Sequence, residues 1–316
     1  MGDCLYIVVP CYNEEEVLRE TTKRLKAKLN KMIEAGSISS SSKVLYVNDG
    51  SKDKTWELIE EIHREDPLFS GIALSHNCGH QNALLAGLLT AKNYADMAIS
   101  MDADLQDDID VIDEMVRKYH EGYDVVYGVR SSRKTDSFFK RFTAESFYKL
   151  MDLMGVETVY NHADFRLTSK RVLEGLDGYQ EVNLFLRGIF PSMGFRSATV
   201  EYERKERFAG ESKYPLKKML AFSWEGITSF TVRPLQFISG LGIVVSLISL
   251  IALIMFVINR FFGYTVTGWA SVICSIWLVG GLQLFCLGII GEYIGKIYYE
   301  TKRRPRYIID KNLLED

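Results

Sequence analysis

The sequence predicts an α/β domain built on a mostly parallel sheet, followed by a helical transmembrane hairpin. Three observations carry that expectation. Short apolar runs alternate with helix-period segments through the first half of the 316 residues. Charge is dense up to about Lys218. Residues 235–258 and 266–291 then contain no charged side chain at all. The whole-chain hydrophobic content of 47% hides this division.

The α/β elements follow in order. Residues 5–9 form a short apolar strand ended by Pro10. Residues 13–35 read as a helix, because Leu18, Leu25, Leu29 and Met32 recur at helical spacing. A Ser-rich loop (37–42) leads to a strand at 44–47, closed by Asn48-Asp49-Gly50-Ser51. Ser51 or Asp53 is placed to cap the helix that carries Trp56, Ile59 and Ile62. A strand at 72–74, a helix at 81–91 and a strand at 97–101 come next, the last running into Asp102-Ala103-Asp104. A helix with Ile112, Met115, Val116 and Tyr119 and a strand at 124–127 complete the alternation. Such alternation implies a parallel sheet with helices on both faces, whose ligands sit at the carboxyl ends of the strands. Residues 138–154 read as helical and 195–202 as extended, with the order between them open.

Each of the two uncharged stretches exceeds the roughly 20 residues that cross a bilayer core. The alternative, two buried helices of a soluble core, is opposed by the absence of charge. The connector 259–265 holds only Arg260, whereas Arg233 lies on one flank and Lys296, Lys302, Arg303, Arg304 and Arg306 on the other. The positive-inside rule then places the large domain and both termini on the cytoplasmic side of the cell membrane, in a multi-pass protein. Gly280, Gly281, Gly288, Gly291 and Gly295 would let helices approach closely. Residues 215–231 mix Leu216, Leu220, Trp224 and Ile227 with Lys217 and Lys218, which suits a helix in the headgroup layer as well as an ordinary surface helix. The expected organisation is a catalytic domain at 1–214, an interfacial segment at 215–232, the hairpin at 233–291 and a basic tail at 292–316.

A net charge of -3 lends no support to nucleic-acid binding. The five cysteines are odd in number and form no CxxC pair, which argues against a disulfide frame and a zinc site. The N-terminus has no basic region ahead of its apolar run and so does not read as a signal peptide. Tyr6 stands where a myristoylation motif wants Ser or Thr.

The segment Asp102-Ala103-Asp104-Leu105-Gln106 carries the sharpest chemistry. In an extended chain alternate side chains share a face, so the two carboxylates can converge at a strand end. Oxygen ligands there suit Mg²⁺ or Mn²⁺ with a diphosphate in the remaining positions. Asp107 and Asp108 also read as a helix N-cap cluster. Pro10-Cys11-Tyr12-Asn13-Glu14-Glu15 offers Tyr12 to stack on a base and Glu14 to hydrogen-bond it, or else starts a helix with acids that its dipole favours. Asp49 is placed to bind a nucleoside, or belongs to a plain Asp-Gly turn.

The ordered set VPCYNEE, VNDGSKDKT, NCGHQNALLAG and DADLQDD resembles glycosyltransferase family 2 with its GT-A fold, a Rossmann-like nucleotide-diphospho-sugar transferase domain. Tyr127-Gly128-Val129-Arg130, Asp164-Phe165-Arg166-Leu167 and RFAGESKY at 207–214 narrow the resemblance to the polyisoprenyl-phosphate glycosyltransferases. That group includes dolichol-phosphate mannose synthases and bacterial GtrB-like enzymes with a C-terminal hairpin.

The resemblance implies roles by position. Pro10, Tyr12, Glu14 and Asp49 match nucleoside-binding positions. Asp102, Asp104 and Gln106 match the metal and diphosphate positions. Arg130 matches a phosphate-contacting Arg, and Arg207, Ser212 and Lys213 match the region that holds the lipid phosphate. Asp164 touches the sugar or assists the nucleophile. Asn77, Gly79, Ala83 and Gly87 are expected to serve packing and a tight turn. The implied reaction is transfer with inversion from a nucleotide-sugar to a polyisoprenyl phosphate such as undecaprenyl phosphate. Glucose from UDP-glucose is the first donor, with UDP-N-acetylglucosamine and GDP-mannose as alternatives, and a homotetramer would fit. A processive polysaccharide synthase is disfavoured because its Gln-x-x-Arg-Trp segment is missing. A catalytically idle membrane scaffold that binds nucleotide-sugar is the rival from another class.

Overall fold

The computed structural model describes residues 2–130, 162–182, 184–203, 228, 231–262 and 268–315. Eight strands form one sheet in the order β7-β5-β6-β4-β1-β2-β3-β8. They are β1 (Leu5–Cys11), β2 (Lys43–Asn48), β3 (Phe69–Leu74), β4 (Met97–Ser100), β5 (Val125–Arg130), β6 (His162–Ser169), β7 (Ser197–Tyr202) and β8 (Ile309–Asn312). The helices are α1 (Leu18–Glu34), α2 (Thr55–Glu65), α3 (His80–Ala91), α4 (Ile112–His120), α5 (Lys170–Leu176), α6 (Leu186–Ser192), α7 (Arg233–Phe261) and α8 (Trp269–Lys302).

The strands β1 to β4 are parallel, as the alternation requires. The sheet is mostly parallel, as expected: among the described strands six run in one direction and two run against them. β6 inserts antiparallel between β4 and β5, and β8 adds antiparallel to β3. Because β6 runs against both neighbours, its start lies at the same sheet edge as the ends of β4 and β5.

Successive residues of a strand face opposite sides, so β1 feeds two cores. Leu5, Ile7 and Val9 pack with Leu18, Leu25 and Leu29 of α1 and Met115 of α4. Tyr6 and Val8 pack with α3, α5 and α6 through Leu84, Leu88, Leu173 and Ile189. Gly87 makes the close approach of α3 possible, since a Cβ there would lie 2.3 Å from Val8 Cγ1 and 2.6 Å from Val47 Cγ2.

Helix α1 begins at Leu18, five residues later than its periodicity suggested. Asn13 adopts φ 56°, and the turn it starts is stitched to the β2–α2 loop. Asn13 N–H donates to Ser51 Oγ, Lys52 N–H to Asn13 Oδ1, and Lys54 N–H to Glu15 Oε2. Asp53 Oδ1 accepts from the N–H and hydroxyl of Thr55, but the N-cap position of α2 is Lys54, just past the expected Ser51 or Asp53.

At the C-terminal end, Ser275–Lys302 within α8 is long and apolar enough to cross a membrane. Among the described residues, the apolar stretch identified in α7 is the shorter Arg233–Val245. Large apolar side chains of both helices face outward, among them Phe237, Ile243, Ile251, Trp277 and Leu284. Helix α8 continues past the uncharged stretch, through Glu292, Lys296 and Glu300, to Lys302. The tail beyond it is not simply a basic extension, since β8 joins the sheet. The expected helix at 138–154 lies outside the described residues, as does nearly all of the expected interfacial helix at 215–231.

Candidate active site

One edge of the sheet collects the groups that the sequence singled out. Asp49 follows β2, Asp102 to Gln106 follow β4, Arg130 ends β5 and Asp164 lies in the first half of β6; Tyr202, which the sequence did not single out, ends β7. Pro10 and Cys11 end β1, and Tyr12, 43% exposed, stands just beyond them.

The segment after β4 turns sharply. Leu105 takes φ 58°, and the N–H of Gln106 donates to Asp104 Oδ1 at 3.1 Å. Thr21 Oγ1 donates to the Ala103 carbonyl and ties the turn to α1. Asp108 Oδ1 accepts from Asp110 N–H, the capping role expected of it. Asp107 does something else. It is buried, and Tyr202 Oη donates to its Oδ1 at 2.5 Å. Burial, with the charge of Asp102 acting in the same direction, pushes its carboxyl up to about 6. The pair joins this turn to the end of β7, where Arg130 and Tyr202 are register partners.

Asp164 is heavily partnered. Its side chain is 12% exposed. Arg187 on α6 grips it from one side and Arg166, two residues along the same strand, from the other at 2.9 Å. Arg166 is completely buried, with its guanidinium stacked 4.4 Å over the Phe190 ring. Burial alone would raise the Asp164 carboxyl, but Arg187, His80 and Arg166 hold it well below the usual carboxylate range. Ser100 Oγ donates to the Asp164 carbonyl at 2.5 Å, which sets β6 against β4 at this point.

His80 was not anticipated as a functional residue. It opens α3, and its Nε2 lies 3.7 Å from Asp102 Oδ1 and 3.6 Å from Asp164 Oδ2. Burial lowers its affinity for a proton, yet the two carboxylates raise it overall. Asp102 is raised by burial and by the like charges of Asp164 and Asp104, against the opposing pull of His80. The site is thus crowded with acid, and His80, Arg187 and Arg166 are among the cations beside it. Among the described residues, no three His, Cys, Asp or Glu side chains are grouped to hold a metal ion unaided.

Asp49 is buried, and both its oxygens are engaged. Cys78 N–H donates to Oδ1 at 2.7 Å and Gly79 N–H to Oδ2 at 3.0 Å. Burial raises this carboxyl despite those two bonds. Gly79 takes φ 86°, which a residue without Cβ adopts freely, at the entry to α3. The Glu14 N–H donates to Thr55 Oγ1, which fixes the backbone beneath Tyr12. Arg207, Ser212 and Lys213 lie outside the described residues.

The model of glycosyl transferase family 2 matches residues 6–177. An uncharacterized glycosyltransferase of Bacillus subtilis, YkoT, is 57% identical over 99% of this chain and 93% of its own length. A prophage-derived bactoprenol glucosyl transferase of Shigella flexneri is 40% identical over 97% of both chains. Among solved structures, mannosyl-3-phosphoglycerate synthase from Rubrobacter xylanophilus aligns with a TM-score of 0.48 at 13% identity, over 71% of this chain and 72% of its own. A mixed α/β sheet with its acids at one edge, a family model matched from β1 through β6, and high identity over nearly the full length to named glycosyltransferases lead to one conclusion: this chain is a glycosyltransferase and belongs to glycosyl transferase family 2.

Proposed function

We propose that the enzyme transfers a glycosyl group, glucose from UDP-glucose in the first instance, onto a polyprenyl phosphate at the cytoplasmic face of the cell membrane, with inversion at the anomeric carbon. The observation that carries the reading is the convergence of Asp102, Asp104 and Asp164 on one sheet edge beside Arg187 and His80. It is supported by the 40% identity to a bactoprenol glucosyl transferase and by the apolar helix Ser275–Lys302.

The residues fit a divalent cation. Asp102 and Asp104 offer two carboxylates, and like-charge crowding already raises Asp102. Two carboxylates with the other positions left to substrate phosphates are the donor set that Mg²⁺ or a similar hard cation takes. In this reading Asp102, Asp104 and Gln106 would hold Mg²⁺ or Mn²⁺, which supplies charge to the leaving diphosphate when bound.

The chain's own side chains do the rest. Tyr12 and Glu14 face the nucleoside at the end of β1, with Pro10 shaping the approach. Asp49 holds the 78–79 turn and has lone pairs left for the nucleoside. Arg130 stands at the phosphate side. The nucleophile is a phosphate oxygen, already largely anionic near neutral pH because its second pKa is about 6. A strong base is therefore not required. Asp164, held ionised, orients Arg187 and His80 and favours positive charge developing at the sugar. Bringing two anions together is the electrostatic demand, and Arg207, Ser212 and Lys213 are assigned to the lipid phosphate that must be neutralised.

The deciding experiment offers a panel of labelled nucleotide-sugars to the purified chain with undecaprenyl phosphate, detergent and Mg²⁺ or Mn²⁺. Lipid-linked glucose from UDP-glucose is expected. Formation of no lipid-linked sugar from any donor would overturn the assignment.

A further inference from the structure

We propose that Glu300 and Arg306, at the end of α8 and just past it, are positioning residues for glycosyl transfer. They fix the turn at 179–182 and so seat α6, which carries Arg187 to Asp164. The inference rests on the transfer reading above.

The contacts lie on either side of a short stretch of chain. Both carboxylate oxygens of Glu300 accept from the Val182 N–H, at 2.8 and 3.0 Å. Arg306 Nη1 donates to the carbonyl of Tyr179 at 2.9 Å and reaches that of Glu181 at 3.4 Å. An acid and a base from the far end of the chain thus clamp the donor and acceptor sides of one turn. Charge-assisted bonds of this kind are stronger than neutral ones. The clamped segment ends at Val182, four residues before the start of α6 in sequence. There Leu186 N–H donates to Gln81 Oε1 at 2.9 Å, beside His80, and Arg187 reaches Asp164. One helix end is therefore connected to both partners of the central acid.

That helix end is itself fixed. Tyr293, Lys296 and Glu300 recur at the three- and four-residue spacing that shares one face of a helix. Tyr293 Oη donates to the Thr231 carbonyl and Lys296 Nζ to Thr228 Oγ1, each at 2.6 Å. Beyond Arg306, Tyr307 packs against the core beside α3 and α5, and Ser75 N–H donates to the Ile308 carbonyl. A turn held from an anchored helix transmits small displacements to α6. Misplacement of a catalytic group by about 1 Å can cost on the order of 10²-fold in rate.

The test measures kcat, the KM for UDP-glucose, and thermal unfolding for the full chain in detergent, with undecaprenyl phosphate as acceptor. Glu300→Ala and Arg306→Ala should each lower kcat about tenfold, by loosening Arg187 without removing it. Donor KM should stay within about twofold, as expected when an interaction made only in the transition state is lost. Glu300→Gln should retain most of the rate, because its amide oxygen still accepts from Val182. Lys311→Ala serves as a control, since its partner Glu60 lies on α2, away from the turn. Wild-type kcat in Glu300→Ala overturns the inference, and so does an equal loss in Glu300→Gln or in Lys311→Ala. Should Glu300→Ala fail to fold, Glu300→Asp, shorter by one methylene, must show the same loss of kcat, and wild-type kcat there overturns it. If the wild-type chain forms no lipid-linked sugar, the transfer reading falls first; if it turns over and the variants match it, the inference alone falls.

Discussion

Arg187 grips Asp164 with two nitrogens at once, Nε 3.1 Å from Oδ1 and Nη2 2.9 Å from Oδ2. The geometry is the side-on fork that holds a carboxylate ionised and oriented. It gives the first prediction. The folded-state pKa of Asp164 is depressed, so its contribution to stability is present above the unfolded value of 3.8 and is lost only as pH falls through the lower folded value. Across the neutral range the wild type should show no titration from this group. Arg187→Gln removes the leading cation and raises the Asp164 carboxyl. The acid limb of the pH–kcat profile should then move upward, with kcat down roughly 10²-fold. A profile that superimposes on the wild type removes Arg187 from this role.

Asp104→Asn keeps the volume of the side chain and an oxygen for the Gln106 N–H, but removes a charge from the cluster. Turnover should fall by about 10² or more, as when a group that stabilises developing charge is lost. Thermal unfolding should shift little, because the acids here repel one another. Near-wild-type turnover with saturating metal would take Asp104 out of the mechanism.

Arg207→Ala should raise the apparent KM for undecaprenyl phosphate while leaving UDP-glucose binding unchanged. Lost contacts between a guanidinium and a phosphate weaken binding by roughly 1.5–3 kcal/mol, about tenfold or more in affinity. Kinetics at varied lipid concentration would read the effect, and an unchanged acceptor KM would refute the assignment.

Gly87→Ala tests the packing of α3 on the sheet. The added methyl would meet Val8 and Val47 well inside van der Waals distance. Overpacking typically costs about 1–3 kcal/mol. A lower unfolding midpoint is expected, with a further loss of kcat through displacement of His80 at the head of the same helix. Wild-type stability would mean that α3 relaxes away from β1 and β2.

The parts of the site that could be read from sequence are those where local pattern and chemistry coincide. Asp102 and Asp104 stand at the end of an apolar strand in an alternating α/β series, so both their type and their place were legible. Asp49 was placed correctly at the end of β2, but its two bonds to the 78–79 turn depend on a contact about 30 residues away. His80 was missed because NCGHQNALLAG is dominated by the small residues that pack α3, and a polar residue at the head of a helix carries no periodic signal. Arg187 was missed for a different reason. It lies on a seven-residue helix, too short for an amphipathic pattern, and its partner is contributed by another strand. Arg166 gave a weak local cue, since residues two apart on a strand share a face with Asp164. The antiparallel entry of β6 and β8 was hidden because neither pairs through a short hairpin: β6 returns between β4 and β5, and β8 joins β3 from the far end of the chain. The four residues Ile309–Asn312, half of them charged, do not read as a strand at all.

That last strand has a bearing on handling the protein. Without it, β3 would present its backbone N–H and C=O groups to solvent along Phe69–Leu74, and a bare, apolar strand margin is a template for association with other molecules. Ile309–Asn312 closes that margin with a short segment whose Asp310 and Lys311 are exposed. Proteolytic clipping near Arg303 or Arg304 would leave the sheet prone to self-association, and a fusion partner joined close behind Asp316 would crowd the strand that prevents it.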